Sequence, residues 1–208
     1  MSEKLLNQQS KVTMKQSRLW GVFLFAMLLI VDQVTKLVAD VYFNVGEEVA
    51  LIDGWLWLTI TYNRGISYGI GATASQPLKI AVIVATAVIM ILIAVMYMKV
   101  DKRRMWLKTA FVFVFSGGVG NLIDRVYYQV WNPSTAPFGV RDMVDLSRFG
   151  FGVCNFADFF IVAGAIIFVL AVLFFDKDAI FPMGKYKSLA KEYEEKNALK
   201  KKAKEEGK

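Results

Sequence analysis

The sequence contains no histidine and only one cysteine, Cys154. A Ser-His-Asp triad, a Cys-His dyad and a histidine-ligated zinc site are therefore impossible within this chain. A lone cysteine also excludes an internal disulfide framework. Carboxylate, lysine and serine chemistry remain available for catalysis, and we expect neither a metal nor another cofactor.

Apolar residues, by contrast, make up 56% of the 208 positions, which is more than ordinary soluble domains contain. They are concentrated in four stretches, and the length of each is close to that of a spanning helix, about 20 residues. These stretches cover residues 20–38, 77–98, 105–123 and 156–175. We therefore predict an all-α membrane protein with four transmembrane helices.

The positive charge lies at the two ends of the chain and in the loop between the second and third stretches. By the positive-inside rule, these basic segments belong in the cytoplasm, so they do not indicate nucleic acid as a partner. We predict a cytoplasmic basic tail (1–18), a membrane domain (19–175) and a cytoplasmic charged tail (176–208) that contacts anionic lipid. Segments 39–76 and 125–155 would then lie outside.

The basic region and the first apolar stretch could be mistaken for a cleavable secretory signal. No A-x-A-like site follows them, and Asp32 and Lys36 do not suit a signal peptide. We expect an uncleaved first span.

Residues 50–63, ALIDGWLWLTITYN, alternate in part and are rich in Trp, Ile, Thr and Tyr, as strands are. Tryptophans and tyrosines also suit the membrane interface. We predict a small extracytoplasmic β-sheet between helices 1 and 2.

Ionisable residues near hydrocarbon are costly, so each is a candidate functional residue. Asp32 and Lys36 are spaced i, i+4, which allows them to pair on one helix face, with Lys36 reaching toward the outer interface. The pair could simply orient the first span, or Asp32 could contribute directly to a site.

Two further segments carry polar side chains. Asn63 and Gly65 follow the predicted strand and form either a plain turn or a contact to an extended substrate backbone. In GGVGNLIDR, the residues Asn121, Asp124 and Arg125 can share a helix face. The small residues of this segment allow close helix packing, and the polar ones indicate the wall of a polar cavity.

Asp145 in DMVDLS and Asp158 in NFADFF lie on opposite sides of the last outside segment, each among apolar residues. Separately they could be a loop carboxylate and a helix N-terminal charge. If they meet in a site of low dielectric, they cannot both ionise and must share a proton. One acid and one base at neutral pH suit peptide hydrolysis, in which water attacks the carbonyl and the leaving amine is protonated.

In order, these motifs resemble the lipoprotein signal peptidases. DQVTK resembles the first-helix Asp and Lys of that family, and NRGISYG resembles its N-x-G-x-x-[FY] box. GGVGNLIDR resembles the G-x-x-x-N-x-x-D-R segment, DMVDL the V-V-D-[FM] box, and NFADFF the N-x-A-D box.

The resemblance implies a protease that cuts diacylglyceryl-modified prolipoproteins before the lipidated cysteine, at the outer face of the bacterial inner membrane. It implies Asp145 and Asp158 as the catalytic pair. Asn63, Gly65, Asn121, Arg125 and Asn155 would line the site, with Asp124 holding Arg125 or the local helix geometry. Asp32 and Lys36 would be supporting residues. The expected partners are the prolipoproteins and membrane lipids, and the protein is expected to be a monomer.

Two departures from the family pattern leave alternatives open. The V-V-D box is preceded by Asp142, which could take the place of Asp145. Residues 127–141 form an insertion with two prolines, for which a lid over the substrate is one interpretation.

Other functions for a chain of this kind are a small transporter or channel component and a structural assembly protein. A transporter often has repeated halves, and none is visible between the first and second pair of stretches. Neither alternative explains two carboxylates at the same membrane boundary.

Overall fold

The structure, a computed structural model, describes residues 3–65, 71–101, 104–175, 179–184, 186–188, 191, 195 and 198–199, with side chains from residue 19 onward. Most of the predicted tail at 176–208 and the side chains of the tail at 1–18 therefore lie outside the described residues. The same holds for Lys102 and Arg103 of the basic loop and for residues 66–70 of NRGISYG.

Four long helices form the body of the described chain: α1 (Glu3–Tyr42), α2 (Gln76–Lys99), α3 (Met105–Tyr127) and α4 (Phe156–Leu173). Each contains a stretch long and apolar enough to cross a membrane, and in α1 this stretch is Leu19–Tyr42. The prediction of four helices that could span a membrane is confirmed. The helices α1 and α3 extend beyond the predicted apolar stretches. At their sheet ends, Asp40 of α1 and Asp124 of α3 accept hydrogen bonds from Tyr128 and Arg141, contacts that hydropathy does not count.

The helix starts follow from local sequence. Ser75 precedes α2, and Pro77 lies in its first turn, where the missing N–H of proline costs no hydrogen bond. The first turn of α4 is closed by a capping box, in which the Asn155 side chain accepts from the Asp158 backbone and the Asp158 side chain accepts from the Asn155 backbone. The bond from the Asn155 backbone also fixes the side chain of Asp158, one of the two predicted catalytic acids.

Small residues bring α3 and α4 close together. A Cβ on Gly117 would overlap the backbone carbonyl oxygen of Ala157, and one on Gly164 would lie 2.9 Å from the Ala110 carbonyl oxygen. Small residues at helix interfaces allow this approach in membranes, where packing rather than the hydrophobic effect drives association. The close contact sets the distance between the polar end of α3 and the start of α4.

Replacement of Gly117 by Ala is therefore expected to destabilise the protein by about 2 kcal/mol, because the obstructing atom is backbone and cannot move aside. In a thermal melt of the detergent-solubilised protein, Tm should fall by about 6 °C. The control is Ser116→Ala, which removes a buried hydroxyl that bonds only the Val112 carbonyl of its own helix, 2.7 Å away. Equal melting of both variants would contradict the packing argument.

The four strands form one antiparallel sheet in the order β1 (Val49–Ile52), β2 (Leu56–Asn63), β3 (Val140–Asp145) and β4 (Val153–Cys154). A small sheet was predicted between helices 1 and 2, but only two of its four strands, β1 and β2, come from that segment. The strands β3 and β4 come from the segment between α3 and α4. This segment has no clear alternation of apolar and polar residues that would predict a strand, and β3 is defined by its hydrogen bonds to β2.

Beneath the sheet lies an apolar cluster that joins it to the end of α1. Ala39, Ile60, Met143 and Val144 are all buried there. Burying both faces of β3 in this way holds the strand, and with it Asp142, against the helices.

The insertion at 127–141 is anchored by Arg64, the middle residue of Asn-Arg-Gly. Its guanidinium donates to the carbonyl oxygens of Val130 (2.9 Å), Asn132 (2.7 Å) and Phe138 (2.8 Å). A short 3-10 helix (Pro133–Thr135) lies within the loop these bonds close. The insertion is thereby tied to the residues that follow β2.

Candidate active site

The second half of α1, the end of α3, the start of α4 and strand β3 meet at the sheet end of the helices. Charged and polar side chains of all four converge there and are almost entirely withdrawn from solvent. We call this set the polar core. Its buried members are Asp32, Lys36, Asn121, Asp124, Arg125, Arg141, Asp142 and Asn155, and its half-buried member is Asp158.

Lys36 is at the centre of the polar core and has no exposed surface. Its ammonium group lies 3.0 Å from Asp32 Oδ2, donates to Asn121 Oδ1 at 2.9 Å, and lies 3.7 Å from Asp124 Oδ2. The i, i+4 pairing with Asp32 is confirmed. The expectation that Lys36 reaches toward the outer interface is wrong, because its ammonium group is held inside the protein by hydrogen bonds to Asp32 of α1 and Asn121 of α3 and by the nearby charge of Asp124.

Asp32 links α1 to both neighbouring helices. Its Oδ1 accepts from the Ala157 N–H at 2.9 Å, within the first turn of α4, where unpaired backbone donors favour an anion. Its Oδ2 also accepts from Gln33, which donates in addition to the Gly120 carbonyl at 3.3 Å. A Cβ on Gly120 would overlap that same oxygen of Asp32, so a larger residue here would have to displace the carboxylate.

Asp158 is held from two sides. Its Oδ2 accepts from the Asn155 backbone N–H at 3.1 Å in the capping box, and its Oδ1 accepts from Asn121 Nδ2 at 2.9 Å. The carboxylate is thus fixed at the start of α4.

Asp142 of β3 lies on the other side of Asn155. Its Oδ1 accepts from Asn155 Nδ2 at 2.6 Å, and its Oδ2 accepts from Asn63 Nδ2 at 3.2 Å. Asn155 is fully buried and donates to both carboxylates, to Asp142 through its side-chain amide and to Asp158 through its backbone N–H, while its side-chain oxygen accepts from the Asp158 backbone N–H. This one asparagine connects two acids from separate segments of the chain.

Burial and the neighbouring charge of Asp158 together raise the pKa of Asp142 to about 7, against the opposing effects of the bonds from Asn155 and Asn63 and of the charge of Lys36. A carboxyl with such a pKa is divided between its two protonation states at neutral pH. Burial and the same acids raise the pKa of the Cys154 thiol to about 12, so the thiol stays protonated.

Asp145 was expected to pair with Asp158, but the structure places it in a different environment. Its Oδ1 accepts from the Ser147 backbone N–H at 2.8 Å, in the turn after β3. Side chains alternate along a strand, so residues three apart point to opposite faces, and Asp142 faces Asn155. The sequence also contains an indication of this. Residues 140–143, V-R-D-M, agree with the V-V-D-[FM] box at three of its four positions, and in this alignment the aspartate of the box is Asp142.

Asp124 was expected to hold Arg125 or the local helix geometry, and in the structure it forms an ion pair with Arg141. Arg141 of β3, which the sequence analysis did not single out, lies 2.8 Å from Asp124 Oδ1 through Nη2. Its Nε and backbone N–H both donate to Asp124 Oδ2, at 3.3 and 3.0 Å. No sequence spacing indicates this pair, because it joins a helix to a strand of another segment.

Arg125 instead extends toward the acids. Its Nη2 donates to the Gly65 carbonyl at 3.3 Å, and the charges of Asp158, Asp142 and Asp124 act on its guanidinium. Gly65 is held by the Asn63 side chain, whose Oδ1 accepts from the Gly65 N–H at 2.8 Å. The Asn63–Gly65 turn therefore contacts the polar core through Arg125.

Comparison with known proteins decides the family. The model of the family described as Signal peptidase (SPase) II matches residues 24–174. The chain belongs to the signal peptidase II family. The match begins in α1 and ends just after α4, so it contains every residue of the polar core.

Relatives of the chain include proteins named lipoprotein signal peptidase. That of Fusobacterium nucleatum is 30% identical over 75% of this chain and 87% of its own length. That of Borreliella burgdorferi (strain ZS7) is 30% identical over 80% and 97%. A solved bacterial membrane enzyme structure, obtained by the in meso method at 1.9 Å resolution, is 25% identical with a TM-score of 0.62, covering 74% of this chain and 92% of that one.

Signal peptidases II are aspartic proteases of bacterial membranes, and the predicted family and enzyme class are confirmed. Four apolar helices agree with a multi-pass membrane protein of this family. Membership decides against the transporter and structural assembly alternatives.

Proposed function

We propose that this signal peptidase II family member removes signal peptides from diacylglyceryl-modified prolipoproteins, cutting before the lipidated cysteine, with Asp142 and Asp158 as its catalytic pair. The observation that carries the proposal is the position of Asn155, which hydrogen-bonds both carboxylates in a buried site inside the family-matched region. Asp142 takes the role that the sequence analysis assigned to Asp145.

The chemistry follows from one proton held between two acids. The unprotonated carboxylate takes a proton from water, and the water oxygen forms a bond to the scissile carbonyl carbon. The other carboxyl group then gives its proton to the leaving amine as the C–N bond breaks. The pKa of Asp142 near 7 keeps both protonation states accessible at neutral pH.

The remaining members of the polar core have supporting roles in this proposal. Arg125 and the Asn63–Gly65 turn would contact the extended substrate backbone. Asn121 and Asn155 orient the acids. Lys36 and Asp32 hold α1 against α3 and α4, so that the site keeps its shape.

The proposed orientation has both termini in the cytoplasm and the site at the outer face of the inner membrane. The basic segments near both ends and between α2 and α3 support it by the positive-inside rule. The polar core lies at the opposite end of the helices from the loop between α2 and α3. A lipid-anchored precursor in the outer leaflet would then reach the acids laterally.

The test is cleavage of a purified diacylglyceryl-modified precursor by the purified protein, with the products measured by mass spectrometry. We expect a product that begins at the lipidated cysteine, together with the free signal peptide. The same precursor without the lipid is the matched control, and it should be cut at least about 100-fold more slowly if lipid contacts position the scissile bond. Equal cleavage of both, or a cut at another bond, would contradict the proposal.

A further inference from the structure

Arg141 stands directly before Asp142, where the V-V-D box of the family has valine. It is only 8% exposed and carries a full charge, which is costly unless a carboxylate compensates it. Its polar contacts go to Asp124 and, at 3.4 Å, to Gln33, and its guanidinium lies 5.5 Å from the centre of the Tyr128 ring. A buried arginine thus stands directly beside a proposed catalytic acid.

The charges of the polar core explain what this arginine contributes. The core contains four carboxylates and three cations: Asp32, Asp124, Asp142 and Asp158, with Lys36, Arg125 and Arg141. Buried clusters with unbalanced charge are unfavourable, and they take up or release protons until the imbalance is removed. When the aspartate pair holds one proton, three negative charges face three positive ones. The singly protonated pair is therefore the neutral state of the cluster.

Other titratable groups surround this cluster. Asp142 faces Asp158 on α4, Arg125 on α3, Lys36 on α1 and the protonated Cys154 on β4. Arg141 faces Asp124 and Tyr128 at the end of α3 and, at longer range, Asp40 on α1. Asp40 accepts hydrogen bonds from two tyrosines, Tyr62 and Tyr128, and lies outside the polar core. The hydrogen bond of Asp145 goes to the turn after β3.

We propose that Arg141 is a positioning residue for the aspartate pair, which balances the charge of the polar core so that the pair holds a single proton at neutral pH. The inference rests on the proposed function, because it takes Asp142 and Asp158 as the hydrolytic pair. Arg141 acts through Asp124, because the Arg141–Asp124 ion pair compensates the charge of that carboxylate. Lys36 can then form its hydrogen bonds with Asp32 and Asn121.

Replacing Arg141 by Met keeps a long apolar side chain but leaves the core one positive charge short. The pair should then hold its protons more tightly, and both limbs of the pH profile of kcat/KM should move up by about one pH unit. A loosened strand alone would lower kcat across the whole profile without moving either limb. The position of the limbs therefore separates charge balance from a purely structural role.

The experiment measures cleavage of the lipidated precursor across a pH series that covers both limbs. Arg141→Lys keeps the charge and should restore the wild-type limbs. The double variant Arg141→Met with Asp124→Asn removes one charge of each sign and should also return the limbs, even if its rate stays low. Arg148→Met is the matched control, since Arg148 is 44% exposed, stacks over Trp57 and lies 3.9 Å from Glu48.

If the limbs of the pH profile do not move in Arg141→Met, the inference is overturned. Such a result would mean that Asp124 takes up a proton when the arginine is removed, so that the net charge of the polar core does not change. A shift that persists in the double variant would overturn it as well. Failure of the proposed function looks different: the wild-type protein would leave the precursor uncut, or cleavage would survive the loss of both Asp142 and Asp158.

Discussion

Replacement of Asp142 by Asn is expected to lower the rate of prolipoprotein cleavage by about 1,000-fold or more, because the pair loses the group that exchanges a proton with water and substrate. Asparagine has the same shape and can keep one hydrogen bond with the amides of Asn155 and Asn63. The fold should therefore persist, as judged by an unchanged thermal melt. Asp158→Asn should lose activity to a similar extent.

The matched control is Asp145→Asn, which changes a carboxylate three residues away on the same strand. Its hydrogen bond to the Ser147 backbone can be kept by the asparagine side-chain oxygen, and we expect cleavage within about threefold of the wild type. The opposite pattern, with Asp145→Asn inactive and Asp142→Asn active, would return the catalytic role to Asp145.

The second large effect is expected on stability, in Lys36→Met. This change leaves Asp32 as a buried carboxylate without its cation, while Asp124 keeps its ion pair with Arg141. Removing one partner of a buried pair costs about 3 to 5 kcal/mol. In a thermal melt of the detergent-solubilised protein, Tm should fall by about 10 °C.

The control for Lys36→Met is the double variant that also carries Asp32→Asn. It removes one negative charge with the positive one, while the asparagine oxygen can still accept from the Ala157 N–H. The double variant should regain about half of the lost stability, because Asp32 no longer carries an unpaired charge, whereas the lost hydrogen bond to Asn121 is not restored. A double variant that melts below Lys36→Met would contradict the view that charge pairing stabilises this site.

Several features could be predicted from the sequence because they depend on local periodicity or spacing. The four helices follow from the length of the apolar stretches, and the Asp32–Lys36 pair follows from i, i+4 spacing on one helix. The family follows from the order of short motifs, all of which lie within the residues that the family model matches. These properties are encoded over a few residues each.

The site could be predicted only as a set of segments. Which acid of DMVDL faces the site depends on strand alternation and on the register between β2 and β3, where Asp142 pairs with Thr61 and Asp145 with Trp57. The same register buries Met143 and Val144 in one apolar cluster with Ala39 of α1. No local pattern around either aspartate contains this information.

By itself, the sequence determined the membrane class, the number of spanning helices, the family and the absence of histidine and disulfide chemistry, because composition and short spacings carry these properties. Only the tertiary structure decided that Arg141 binds Asp124, that Asn155 connects Asp142 to Asp158, and that half of the sheet comes from the last long segment. Each of these is a contact between segments distant in sequence. Such contacts arise because buried charges and unpaired strand groups must find partners, and packing selects which ones they reach.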